Sequence, residues 1–169
     1  MSGSLRLSLT DPRWLQEFQQ TQSLLLWACQ GLVTEVHHIG ATALTETVAR
    51  PTIDCLAGLT DLRNMNETCR LIEGLNYERV PSDEWCDEEL VGHLVKFRGQ
   101  DSTHEVWVVR YGGTIWERAI KMRDWLTSTP EDRSALECLK RDRFESDPYD
   151  LEGYRESKAE FFQRVISRF

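Results

Sequence analysis

No apolar run in this chain approaches the ~18 residues of a membrane span, and Met1-Ser2-Gly3-Ser4 lacks the apolar core of a signal peptide. A soluble cytoplasmic protein is the expectation. Positive charge is also in short supply, with Lys and Arg numbering 20 against 28 Asp and Glu, a formal net charge of −8. That balance excludes surfaces for non-specific nucleic-acid or anionic-membrane binding, which need clustered positive potential, and leaves room for a local basic pocket. The five cysteines, Cys29, Cys55, Cys69, Cys86 and Cys138, form no CxxC pair and no histidine spacing that completes a zinc site. They read as reduced thiols, mostly buried. Internal repeats and low-complexity segments are absent as well.

What is present is one domain's worth of material. A chain of 169 residues, 40% hydrophobic and 28% charged, is long enough to bury a sizeable core. Asp11-Pro12 is a helix start, with Asp as N-cap and Pro at the first helical position. Trp14, Leu15, Phe18, Gln22, Leu25 and Leu26 follow at helical spacing, predicting a helix from about 12 to 30 that Gly31 ends. Leu32 to Ile39 is a β-prone run ending at Gly40. Residues 40–51 read as a loop with a helical turn, and Thr52 to Leu59 as a strand buried on both faces. Asp54 is out of place there by burial statistics.

Thr60 or Asp61 caps a helix carrying Leu62, Met65, Cys69, Ile72 and Leu75. Tyr77 to Pro81 is a short extended piece, followed by an acidic loop to Glu89 that contains Trp85. Val91 to Arg98 alternates as a half-buried strand, Gly99 to Ser102 turns, and Thr103 to Val109 returns antiparallel to it. Thr114 caps a helix with Ile115, Ala119, Met122 and Leu126 on one face. Thr129-Pro130-Glu131-Asp132 resembles a capping box opening a helix lined by Leu136, Leu139 and Phe144. Asp150 caps a last helix with Tyr154, Lys158, Phe161 and Val165 on one stripe. The order predicts an α+β domain, a mixed sheet with helices over one face and a helical C-terminal third.

Chemically able side chains gather in one stretch, from His37-His38-Ile39-Gly40-Ala41-Thr42 to Arg50-Pro51-Thr52-Ile53-Asp54. This stretch resembles the signature of the GrpB family, approximately I-E-H-I-G-S-T, then V-P-G-L, then K-P-x-I-D-I. Asp11-Pro12-Arg13-Trp14 is similar to the family's D-P-x-W opening, Lys121 to Leu126 to its F-R-D-Y-L, and Tyr154 to Phe161 to its Y-x-x-x-K-x-x-F. The resemblance covers nearly the whole chain and implies a nucleotidyltransferase-like fold.

Active enzymes of that superfamily hold a triphosphate on a Gly-Ser pair and two divalent metals on an acid pair plus a third carboxylate. Here Ala41 stands in place of the Ser, and Leu56 in place of the second acid. Asp54 and Glu105 remain as the candidate catalytic carboxylates, able to share one Mg²⁺, since that ion often uses only one or two protein carboxylates. His38, Gly40, Thr42, Arg50, His104, Arg123 and Lys158 are the candidate phosphate-binding residues, Arg50 replacing a lysine with bidentate geometry. Bland alternatives stand beside these: a structural histidine at 38, a conformational glycine at 40, Asp54 paired to Arg50 or Arg123, and polar bracing by Arg123, Tyr154 and Lys158. The resemblance thus implies binding of a nucleotide or another phosphorylated small molecule, with nucleotidyl transfer degenerate or absent. The competing readings are a transferase with relocated ligands, and a non-catalytic module whose acidic loop or hairpin edge binds a protein partner or a second copy.

Overall fold

A computed structural model describes residues 7–82 and 89–168. Its helices are α1 (Arg13–Ala28), α2 (Met65–Glu73), α3 (Thr114–Ser128), α4 (Pro130–Ser146) and α5 (Leu151–Ile166). Its strands are β1 (Val33–Ile39), β2 (Ile53–Leu59), β3 (Glu78–Val80), β4 (Gly92–Arg98) and β5 (Asp101–Arg110). They form a five-stranded mixed sheet in the order β1-β2-β5-β4-β3, parallel only between β2 and β5. The fold class is therefore the α+β mixed sheet with a helical C-terminal third that the pattern of elements predicts. Among the described residues no helix is long and apolar enough to cross a membrane.

The helices cover both faces of the sheet, not one. Val36, Cys55, Ala57, Leu94, Val106 and Val108 pack against Trp14, Phe18 and Leu25 of α1 and Met65, Cys69 and Ile72 of α2. On the other face Ile39, Leu56, Trp107 and Val109 meet Ile115, Trp116 and Ala119 of α3. This double cover explains the unbroken apolar run of β2, which is central and carries side chains into two cores. Burying each large apolar side chain stabilises the fold by roughly 1.5–3 kcal/mol.

A third cluster matters for function. Leu44, from the loop between β1 and β2, packs with Leu126 of α3, Leu136 of α4 and Phe161 and Val165 of α5. The loop is thereby tied to the helical third. The N-terminal segment holds it from the other side, where Ser8 bridges to Ala49 and the Thr10 hydroxyl both donates to the Thr47 carbonyl and accepts from its N–H.

Several local expectations are corrected. The Glu89 carboxylate, not Thr114, caps α3, accepting from the Thr114 N–H at 2.8 Å. Asp132 does not close a capping box; it accepts from Trp125 Nε1 at 2.7 Å and pairs with Arg168. Phe144 is 40% exposed and lines no core. The turn between β4 and β5 is only Gly99-Gln100, so β5 begins at Asp101. Cys29, Cys55 and Cys69 are buried free thiols and Cys138 is exposed, whereas Cys86 and Trp85 of the acidic loop lie outside the described residues.

Candidate functional site

Asp54 opens the side of β2 that faces α3 and lies opposite Ile39 of β1 and Glu105 of β5. Register partners on neighbouring strands project to the same face, so Asp54 and Glu105 are brought together. Glu105 accepts from His93 Nε2 of β4 at 2.9 Å, and the His93 ring stacks on Trp107 at 3.6 Å between centroids. Gly40, with φ 73° and ψ −173°, presses its backbone on the Asp54 carboxyl, and a Cβ added there would run into Asp54 Oδ2.

Cations converge on these acids from three other places. Arg50 comes from the loop and Lys158 from α5, and both act electrostatically on Asp54 and Glu105. The third is Lys140 of α4, only 2% exposed, whose ammonium donates to the Val48 carbonyl at 3.3 Å. Tyr154 of α5, also buried, feels both Arg50 and Asp54.

This crowding sets the protonation states. Burial, then the Glu105 charge, push the Asp54 carboxyl up to about 7 against the pull of Lys158, Arg50 and Lys140. Burial acts on Glu105 too, but its His93 hydrogen bond, with the charges of His93, Arg50 and Lys158, outweighs it and holds that carboxyl below the usual range. Burial and the Lys158 charge bring the Lys140 ammonium down to about 7. Glu105 is therefore the standing anion of the pair, while Asp54 exchanges its proton near neutral pH.

The remaining candidates are elsewhere. His38 projects to the opposite sheet face, 9% exposed and stacked on Phe18 at 4.6 Å. The Thr42 hydroxyl donates to the Thr52 carbonyl at 3.0 Å, so His38 Nε2 must carry the proton it shares with Thr42 Oγ1 at 2.9 Å. Both polar groups are satisfied internally. His104 neighbours Glu105 in a strand and hence faces away from it, bonded to the Thr103 hydroxyl. Arg123 of α3 lies at the free edge of β1, where it donates to the His38 carbonyl at 3.3 Å and pairs with Asp124.

Burial, with the Arg123 charge, lowers His38 to about 4 from 6.5. Between those values the unfolded chain binds the extra proton, so acidification should remove stability through this window. His38→Gln is expected to abolish that component, about 2–3 kcal/mol, measured as the wild-type minus variant difference in urea stability between pH 7 and 4. An unchanged difference would refute the neutral, hydrogen-bonded histidine.

The Mg²⁺ implied by the family resemblance fits these residues poorly. Mg²⁺ seeks near-octahedral oxygen donors. Here one carboxylate is bonded to His93, the other is packed by Gly40, the next same-face position is buried Leu56, and three cations act electrostatically on Asp54. Among the described residues no group of three His, Cys, Asp or Glu could hold a metal. Two surface grooves, one of about 540 Å³ between α4 and α5 and one of about 400 Å³ along β1, are lined by neither Asp54 nor Glu105.

The fold and the cluster define an α+β domain whose charged site is built where the β1–β2 loop meets the helical third. Residues 4–168 match the family described as GrpB protein, and the chain belongs to the GrpB family. It is 27% identical over 169 residues to the glutamate-rich protein GrpB of Alkalihalophilus pseudofirmus, covering 98% of this chain and 95% of that one. Among solved structures it is similar to the conserved protein GrpB from Enterococcus faecalis, with TM-score 0.75 and 20% identity, covering 95% and 99% of the two chains. A fainter likeness, TM-score 0.48 at 8% identity over 79% of this chain and 40% of the other, is to the Cid1 poly(U) polymerase.

Proposed function

We propose that this protein is a cytoplasmic binder of a phosphorylated small molecule or nucleotide, received at the Asp54 site with little or no nucleotidyl transfer. The observation that carries this reading is the electrostatic convergence of Arg50, Lys140 and Lys158, from three separate elements, on the half-buried Asp54 carboxyl, with Arg50 and Lys158 reaching its neighbour Glu105 as well. Cations grouped in a partly desolvated setting favour a multivalent anion, and the Arg50 guanidinium supplies the planar fork that suits phosphate. Loss of the Ser and of the second acid, at Ala41 and Leu56, removes groups that transfer would need.

Isothermal titration of a panel of nucleoside triphosphates and smaller phosphate esters tests it. Wild-type protein should bind at least one, and Arg50→Gln should weaken that binding tenfold or more, about 1.4 kcal/mol. Pyrophosphate release from the same panel should stay at background. No binding across the panel, or equal binding by the variant, would overturn the reading; steady pyrophosphate release would establish a transferase instead.

A further inference from the structure

We propose that the Asp54 site receives a diphosphate-type group directly on Arg50, Lys140 and Lys158, with the buried Lys140 ammonium supplying the charge that a divalent metal supplies in catalytic relatives of such sites. The inference rests on the reading that this site binds phosphorylated ligands, and it specifies how.

Lys140 is placed for this by packing. It lies one helical turn after Leu136, on the stripe of α4 that faces the loop and α5, and is 2% exposed. Among the described residues its ammonium has a single hydrogen-bond acceptor, Val48, two residues before Arg50. An ammonium carries three N–H donors. Lys158 and Asp54 both lie within electrostatic reach of it. A buried cation with donors to spare, beside two further cations, is a receptor for anionic oxygens.

The acids point the same way. A metal bridging Asp54 to a phosphate would stand among three positive side chains and find Leu56 where its second carboxylate should be. Glu105 is already oriented by His93. Asp54 then serves as counter-charge to the cations, and a ligand phosphate competes with it for them. Neutralising Asp54 should consequently strengthen anion binding, whereas it would destroy a metal bridge.

The test uses inorganic pyrophosphate as probe, titrated into the full chain with EDTA or with Mg²⁺. Binding in EDTA should match that with Mg²⁺, Lys140→Met should weaken it at least tenfold, and Asp54→Asn should tighten it about threefold or more. Binding that requires Mg²⁺ and is lost in Asp54→Asn would overturn the proposal while leaving a phosphate site in place. Absence of pyrophosphate binding under both conditions would overturn the underlying reading as well. Mn²⁺ alone, followed by electron paramagnetic resonance, gives a readout independent of the lysine variant: wild type and Asp54→Asn should be indistinguishable, and a wild-type ion lost in Asp54→Asn would refute the metal-free mode.

Discussion

Lys140→Met is expected to make the protein more stable, by about 1–3 kcal/mol at pH 7. Replacing a buried ionic group by an apolar side chain of similar volume is often neutral or stabilising by about 1–4 kcal/mol, because desolvation exceeds the Coulombic return. Here the ammonium is 2% exposed, and burial brings it to about 7 from 10.5. In a chain of this size each kcal/mol moves Tm by about 2–4 °C. The pH dependence identifies the cause. The lowered folded pKa means that the lysine costs most stability below pH 7. From there to 10.5 the unfolded chain holds the proton that the folded one has released, so wild-type stability rises, by up to about 1.4 kcal/mol per pH unit. The advantage of Lys140→Met should therefore shrink over that interval, as followed by urea denaturation at pH 7, 8.5 and 10. A destabilised variant with a flat pH profile would show that Lys140 is a net stabilising link between α4 and the loop.

That lysine shows where sequence reasoning stops. The regular elements were legible because their periods are local: Trp14, Phe18 and Leu25 at helical spacing, the alternation around Leu94, and the apolar run of β2 from Thr52 to Leu59. Asp54 was legible as an acid in an apolar strand. Lys140 was not, although a signal existed: it follows Leu136 by four residues, and Asp132, Leu136 and Lys140 form one buried stripe. A lysine on an apolar stripe reads as a snorkelling edge residue until the facing element is known. His104 was separable from Glu105 on strand alternation alone. His38 was not, since its face depends on the β1–β2 register, with Ile39 and not His38 opposite Asp54. The two-sided cover was legible only in the apolar run of β2, which implies burial on both faces; which helices supply each face is a property of long-range packing.

The second large effect concerns Gly40. Gly40→Ala should destabilise the protein by about 3 kcal/mol or more, a fall in Tm of roughly 6–12 °C. Two costs combine. The backbone at φ 73° and ψ −173° lies in a region that side chains rarely tolerate, worth about 1–3 kcal/mol. The new methyl group would also displace the Asp54 carboxyl, whose carbon would lie 3.1 Å from it. The second cost depends on Asp54 and the first does not, so a double-mutant cycle separates them. Gly40→Ala should be milder by about 1–2 kcal/mol when Asp54 is alanine, within the range for residues in direct contact. Additivity within about 0.3 kcal/mol would mean that the glycine answers to backbone conformation alone. The predicted coupling would give it a role in the site: this glycine allows the β1 terminus to press on the Asp54 carboxyl and so to fix it beside Glu105, its register partner on β5.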